Sequence, residues 1–507
     1  MKIRTALVIR LFYVFCAASL LLASCGTQQT PAPTGVQANP SPVPTEPLQP
    51  TSAPLPTASP TPAPFPQLTL NPGDLYFSLN GKPTFLFSRN VAGNTPSDFD
   101  MLADWAHQQG DLVVRVGLDN GAMGGINGYG YSSDGIIQRD WDRNWESFIT
   151  HAEADDLYVI PYFTGWMDWN DTGYSTWLHN PLNSVNGGPA KDPRDIYKRD
   201  SPTQLLYIQW FKNVVTRWQS HKNILAWEVV SEVNLIDEID QADGIYLVEQ
   251  LAKAARDADP LHRPVTASLA DTGNWSDFFR SDAVEFINLH PYPASAMLDT
   301  TVLSEVRQLV RTYNKPVLIG ESGLSALTPD TSGGAITISP NARIGVQHAI
   351  WAELVSGAMN GRALWWEDGF AFYFKNMGQS FLQGYDDVEA PVFKFIDGVD
   401  MTGFKPVAAQ YSGDLVGATL GNSSLIIGWF RDASCEPPNW NMRSVVSKSS
   451  VALTVPGSSG QWKVDFYDPK TGTDIVSSVT LSQTGGTVTV PLPDFKDDIA
   501  FKMYIQK

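Results

Sequence analysis

From Leu68 to about Asp400 the chain alternates short apolar, β-branched runs with stretches whose apolar residues recur every three or four positions. The short runs fall at residues 84–88, 112–116, 158–163, 225–230, 265–268, 286–289, 316–320 and 363–366, and each predicts a buried strand. Between them lie helical stretches. Residues 141–154 put Trp141, Trp145, Phe148, Ile149 and Ala152 on one face. Ser201-Pro202 supplies an N-cap followed by proline at the first helical position, opening a helix that carries Leu205, Leu206, Ile208, Phe211 and Val215. Eight strand–helix units in about 330 residues predict an α/β fold of the (β/α)8 TIM-barrel type with insertions, spanning 67–401. A doubly wound open sheet is the competing arrangement, but no Gly-rich phosphate loop follows the first strand.

After about Thr402 the helical period stops. Runs at 424–430, 450–455, 462–467, 487–490 and 499–505 are broken by turns such as Asp468-Pro469-Lys470-Thr471-Gly472. They predict a small C-terminal β-sandwich over 402–507. Trp429, Trp440 and Trp462 in it either bind sugar or pack the module.

The other end of the chain is of a different kind. Lys2, Arg4 and Arg10 precede an apolar run at 11–23, too short for a membrane span and right for a signal peptide over 1–24. Leu22-Ala23-Ser24-Cys25-Gly26 resembles a bacterial lipobox, which implies lipidation of Cys25 and a membrane anchor on the extracytoplasmic side of the cell envelope. A plain secretory signal cut near Ala23 or Ser24 is the alternative. Residues 25–66 form a Pro/Thr/Ser/Ala-rich linker in which Glu46 is the only charge, a composition that builds no core and favours extended, disordered chain. With Cys16 in the signal and Cys25 lipidated, Cys435 is left alone and forms no intramolecular disulfide.

Composition narrows the function. The 507 residues carry a formal net charge of −18, which disfavours nucleic acid and fits a neutral substrate. The 16 Trp suggest sugar-stacking surfaces. No His-rich or CxxC spacing, calcium-loop pattern or nucleotide fingerprint occurs, so neither metal nor cofactor is expected. Nothing in the sequence fixes an oligomeric state.

In a barrel of this kind the site lies at the C-terminal ends of the strands. Strand four ends Trp227-Glu228-Val229-Val230-Ser231-Glu232, and strand seven ends Pro316-Val317-Leu318-Ile319-Gly320-Glu321. Each delivers a glutamate to the rim after an apolar run. These segments resemble the W-E-x-x-N-E and P-V-x-x-G-E patterns of clan A glycoside hydrolases, family 5 in particular, the group of many cellulases and β-mannanases. The resemblance spans Leu68 to about Asp400. It implies Glu232 as acid/base and Glu321 as nucleophile, with Ser231 standing where the family has Asn. It also implies that Arg115 on strand two holds the nucleophile ionised. Tyr292 of His290-Pro291-Tyr292 would donate to that carboxylate while His290 lines the sugar subsite. Trp366 or its neighbour Trp365 would lie beneath the reacting sugar, and Asn90 closes strand one. The stretch Trp166, Trp169, Tyr174 and Trp177, with Asp168, Asn170 and Asp171 between, reads either as a sugar platform or as an aromatic mini-core folding a long loop.

The resulting expectation is retaining hydrolysis of a β-linked polysaccharide, β-1,4-mannan ahead of β-1,4-glucan, with endo or exo action open. The rival is a non-catalytic surface protein that binds carbohydrate on the same barrel, a reading to which Ser231 and the linker both lend themselves.

Overall fold

The computed structural model describes residues 65–507 apart from 67, 94, 119–127, 172–175, 272–274, 330, 369–384, 386, 441–444, 456–458, 484–485 and 507. The signal segment, Cys25, most of the linker and Tyr174 lie outside the described residues.

Eight parallel strands form the barrel: β1 Leu86–Val91, β2 Val113–Gly117, β3 Tyr158–Tyr162, β4 Trp227–Glu228, β5 in two pieces (Val265–Thr266 and Ser268–Leu269), β6 Ile287–Leu289, β7 Val317–Ile319 and β8 Asn360–Gly361. They pair in the order β8-β1-β2-β3-β4-β5 and then β5-β6-β7. Between β7 and β8 the ring closes through Met359 N–H donating to Val317 O at 2.8 Å and a parallel bridge from Ser322 to Leu364. This is the (β/α)8 arrangement expected from the periodicity.

Six helices follow strands in turn: α1 Pro96–Gln109, α2 Arg139–Ala154, α3 Pro202–Trp218, α4 Gln241–Ala258, α5 Leu298–Tyr313 and α6 Ala342–Ser356, with a shorter α7 at Ala390–Ile396. A capping box at Thr95 and Asp98 starts α1. α2 buries the five apolar residues expected of it. Ser201 caps α3, its hydroxyl accepting from Gln204 N–H. The face that α3 buries differs from the expected one. Tyr207, Trp210, Phe211, Val214, Val215 and Trp218 point inward, while Leu205 is exposed. Aromatic area drives the choice, because the indoles of Trp210 and Trp218 bury more surface than a leucine and reach Trp141 and Phe163.

Strand eight also begins earlier than the sequence predicts. Asn360–Gly361 pair with β1, then Arg362 takes a left-handed φ of 69° and interrupts the ladder, so Trp365 and Trp366 lie beyond the strand. At the opposite end of the barrel, a three-stranded antiparallel ribbon over residues 68–83 puts Leu68 and Phe77 against the inward side chains of Leu86, Val113, Ile160, Leu225, Phe286 and Leu318. It closes the N-terminal mouth.

The C-terminal region is antiparallel. β9 Lys405–Val407, β10 Ala409–Tyr411, β11 Leu415–Gly421, β12 Leu425–Asp432, β13 Ser450–Thr454, β14 Gly460–Tyr467, β15 Ile475–Gln483, β16 Thr487–Pro491 and β17 Asp498–Ile505 form two sheets, ordered β9-β11-β12-β17-β14-β15 and β10-β13-β16. Their shared core includes Phe430, Val451, Leu453, Trp462, Phe466, Val490 and Phe501. Trp429, Trp440 and Trp462 are 0%, 3% and 0% exposed, so all three pack and none offers a ring to a sugar. The module rests on α5 and α6. Arg307 donates to the carbonyls of Val407 and Thr419, Trp351 Nε1 donates to Pro469 O, and the His348 ring meets Trp429 at 5.6 Å. Among the described residues no helix is long and apolar enough to cross a membrane.

Candidate active site

Groups on β1, β3 and β4, and just beyond β4 and β7, converge on one cation of β2. Arg115 is the third residue of β2 and is 3% exposed, inside the barrel with its guanidinium on the Tyr162 ring at 4.3 Å. Its Nε and Nη2 donate to the two oxygens of Glu228 at 2.6 and 2.8 Å, a bidentate pair. Nη1 donates to Glu321 Oε1 at 2.8 Å and to Asn90 Oδ1 at 3.2 Å, and Nη2 reaches Ser231 Oγ at 2.9 Å. One side chain thus fixes both strands that carry the rim glutamates. Asn90 in turn donates to the carbonyls of Gly320, Ala363 and Leu364, tying β1 to the ends of β7 and β8.

Glu321 lies two residues past the end of β7 and is 7% exposed. Its second oxygen accepts from the Tyr292 hydroxyl at 3.0 Å. Burial pushes this carboxyl upward, but the charges of His290 and Arg115 and the hydrogen bonds from Tyr292 and Arg115 outweigh it, leaving Glu321 below the usual glutamate range. The Tyr292 hydroxyl is driven well above its ordinary value, first by burial and then by Glu321 and Glu232, so it remains a donor.

Glu232 sits four residues past Glu228 with a left-handed φ of 54°. That conformation costs a non-glycine residue about 1 kcal/mol or more, and it is held here by its own N–H donating to Ser268 Oγ at 2.9 Å. Ser268 Oγ also donates to Glu228 Oε1 at 3.0 Å. The turn brings Glu232 Oε1 to 3.2 Å from His290 Nδ1, which is 3.6 Å from Glu321 Oε2. One oxygen of each glutamate and a ring nitrogen of His290 lie within 4.8 Å of one another.

The structure therefore brings Asn90, Arg115, Ser231, Glu232, His290, Tyr292 and Glu321 into one cluster. The aromatic candidates divide. Trp169 is fully buried, its Nε1 bonded to Thr164 Oγ1 and its ring against Trp177 and Tyr207. Asp168 beneath it accepts from Thr164 and Thr176. Trp169 and Trp177 thus make the aromatic mini-core of the loop after β3, which corrects the platform reading for both. Trp166 remains half-buried. Of the strand-eight pair, Trp366 is 2% exposed and Trp365 half-buried, so Trp365 has the larger open surface.

Sequence reasoning gave no role to Glu228, Ser268 or Tyr162. Glu228 sits among apolar strand residues, and a buried acid inside such a run is itself the signal of a buried cation partner. Glu367, after the tryptophan pair, is fully buried and accepts from Leu324 N–H at 2.8 Å, and burial pushes it up to about 8.

Among the described residues two groupings have donor atoms near enough to hold a cation, Glu232–His290–Glu321 and, on the barrel's outer helices, Asp104–His151–Asp155. In the first, Glu321 is already saturated by Arg115 and Tyr292. In the second, His151 bonds Asp104 and its imidazolium form is favoured by that bond and by Asp100, Asp104 and Asp155 against the opposing effect of burial.

Comparison of the whole fold with solved structures finds a protein described as a glycoside hydrolase at a TM-score of 0.59 and 12% identity, covering 87% of this chain and 97% of that one. A family 5 glycoside hydrolase from Bacteroides vulgatus matches at 0.56 and 12%, covering 87% and 93%. The fold is that of the family 5-like glycoside hydrolases. No family model matches the sequence, and no curated protein does. The likeness thus lies in the three-dimensional arrangement, and the sequence has diverged far beneath it.

Proposed function

We propose that this chain is a retaining glycoside hydrolase in which Glu321 is the nucleophile and Glu232 the acid/base. The observation that carries the reading is the carboxyl pair. One oxygen of each glutamate lies within 4.8 Å of the other, which favours the roughly 5–5.5 Å carboxyl separation of double-displacement enzymes over the roughly 6.5–9.5 Å of inverting ones.

The two glutamates sit in opposite surroundings, as the division of labour requires. Glu321 faces Arg115 and Tyr292 and is kept ionised for attack on the anomeric carbon. Glu232, turned off the strand and partly open to solvent, protonates the departing oxygen and then takes a proton from the water that releases the glycosyl-enzyme. Ser231 is engaged with Arg115, so it acts in fixing the guanidinium.

A β-linked polysaccharide is the proposed substrate, β-1,4-mannan first and β-1,4-glucan second. We further propose that the enzyme is anchored through a lipid on Cys25 at the outer face of the cell envelope, with residues 26–66 as its tether. Release of new reducing ends from mannan, cellulose derivatives, xyloglucan and mixed-linkage glucan tests the activity. Mannan is expected to yield most. Binding of a glycan without new reducing ends from any of them would support a non-catalytic carbohydrate-binding protein instead.

A further inference from the structure

Of the two rim glutamates, Glu232 is the one held in a left-handed backbone, with φ 54°. It opens a single turn closed by Leu235 N–H donating to Glu232 O at 2.9 Å. Two contacts from the end of β5 bracket that turn. Glu232 N–H donates to Ser268 Oγ at 2.9 Å, and Asn234 Oδ1 accepts at 2.8 Å from the N–H of Ala270, the residue that follows β5. Ser268 is 0% exposed. Its hydroxyl accepts and donates through one atom. The proton goes to Glu228 Oε1 at 3.0 Å, the oxygen to which Arg115 Nη2 also donates at 2.8 Å.

Both glutamates are thereby tied to one guanidinium, by different routes. Arg115 grips the Glu321 carboxylate itself, whereas it reaches Glu232 through Glu228, Ser268 and a backbone N–H. We propose that Ser268, seconded by Asn234, is a positioning residue for the acid/base: it holds the turn that aims the Glu232 carboxyl and leaves the nucleophile untouched. The inference rests on the reading of Glu232 as the acid/base and adds what fixes its direction.

A left-handed backbone is disfavoured for any residue with a Cβ and persists only where its surroundings over-determine it. Without the Ser268 oxygen, Glu232 N–H loses its acceptor on the buried side of the turn. The backbone then relaxes toward the ordinary right-handed or extended region, and the carboxyl swings away with it. Glu321 keeps Arg115 and Tyr292 and attacks as before. Proton donation needs the acid within hydrogen-bond reach of the departing oxygen, so the loss falls on the steps that Glu232 serves. In the first of these the O–H bond of Glu232 breaks while a new one forms on the leaving group. The defect therefore grows with the leaving group's need for that proton.

The test compares full-length wild type, Ser268→Ala and Asn234→Ala on aryl glycosides of the sugar that the wild type cleaves. The readout is kcat/KM, which reports the reaction up to the glycosyl-enzyme. Ser268→Ala should lose about tenfold or more on phenyl glycosides, which need the acid, and little on dinitrophenyl glycosides, which depart without a proton. Asn234→Ala lies on the half-buried side of the turn and should show the same split at smaller size, which keeps the test open if Ser268→Ala fails to fold. Equal losses on both leaving groups overturn the proposal. Hydrogen–deuterium exchange followed by mass spectrometry gives a readout that needs no substrate. Peptides covering residues 229–236 should exchange faster in Ser268→Ala while those covering 316–323 stay as in the wild type. Unchanged exchange at 229–236 overturns the role of Ser268. If the wild type cleaves no glycoside at all, the proposed function fails, and the exchange measurement still decides whether Ser268 holds the turn.

Discussion

At the scale of single residues, the site is built so that one side chain cannot be changed without unpairing others. Arg115 neutralises Glu228 and Glu321 at once, and both carboxylates are buried. Arg115→Met leaves two buried carboxylates without the guanidinium that pairs them, which by analogy with other broken buried pairs costs roughly 3–5 kcal/mol. Urea unfolding of the variant should show the loss directly. Glu321→Gln and Glu232→Gln should each remove about three orders of magnitude or more of turnover on polysaccharide while leaving its binding intact, measured by reducing-end release beside a pull-down on insoluble glycan. The pH profile carries a further test. Glu321 is depressed below the ordinary 4.5, so it remains ionised, and the nucleophile available, as pH falls until that lowered value is reached. The acid limb of kcat/KM should therefore lie below 4.5, and Tyr292→Phe, which removes one of its donors, should move it upward. An acid limb that stays put in Tyr292→Phe would mean the hydroxyl does not tune the nucleophile.

Elements show what the sequence reveals and what it hides. Glu232 and Glu321 stand out because an ionisable residue closing an apolar run has to leave the barrel wall, and Arg115 because three apolar residues precede it. Asn288 and Ser268 carry no such mark. They lie within strands whose interior is packed with side chains, and only the folded barrel shows that their neighbours are the rim glutamates and His290. Helix α3 misleads for a different reason. Its leucines match the helical period, yet Trp210 and Trp218 decide the buried face by area. Strand β15 escapes notice because Ile475 and Val476 are exposed at an edge of the six-stranded sheet, so apolar alternation is weak there. The interruption at Arg362 is invisible to pattern as well, since its left-handed backbone is held by Asp368, Glu389 and the Tyr385 carbonyl. Ser201→Ala should cost about 1 kcal/mol through loss of the α3 cap, read as a lowered denaturation midpoint.

For the whole molecule, buried carboxyls set the pH range of stability. Burial pushes Glu353 and Glu367 up to about 8 from an ordinary 4.5. Each binds its proton more tightly folded than unfolded, so its contribution is fully present below 4.5 and is lost as pH rises through about 8. Thermal stability should accordingly weaken between those limits, and Glu353→Gln should flatten part of the slope. A melting temperature that rises over the same interval would contradict the assignment. The β-module belongs to the same stability argument. Removing residues 402–507 would bare Trp351, His348 and the polar head of Arg307 on α5 and α6, and the remaining barrel should aggregate in size-exclusion chromatography. A monodisperse barrel would assign the module some purpose other than packing.

The aromatic mini-core of the loop after β3 has a consequence for how such a protein changes over time. Trp169 and Trp177 hold that loop together by contacts largely its own, with Tyr207 of α3 as its seat, whereas the two glutamates hang from strand ends fixed through Arg115. The loop and the carboxyl cluster at the strand ends are thus held by separate sets of contacts. Drift or deliberate exchange of the loop can therefore proceed while the cluster around Arg115 is passed on unchanged.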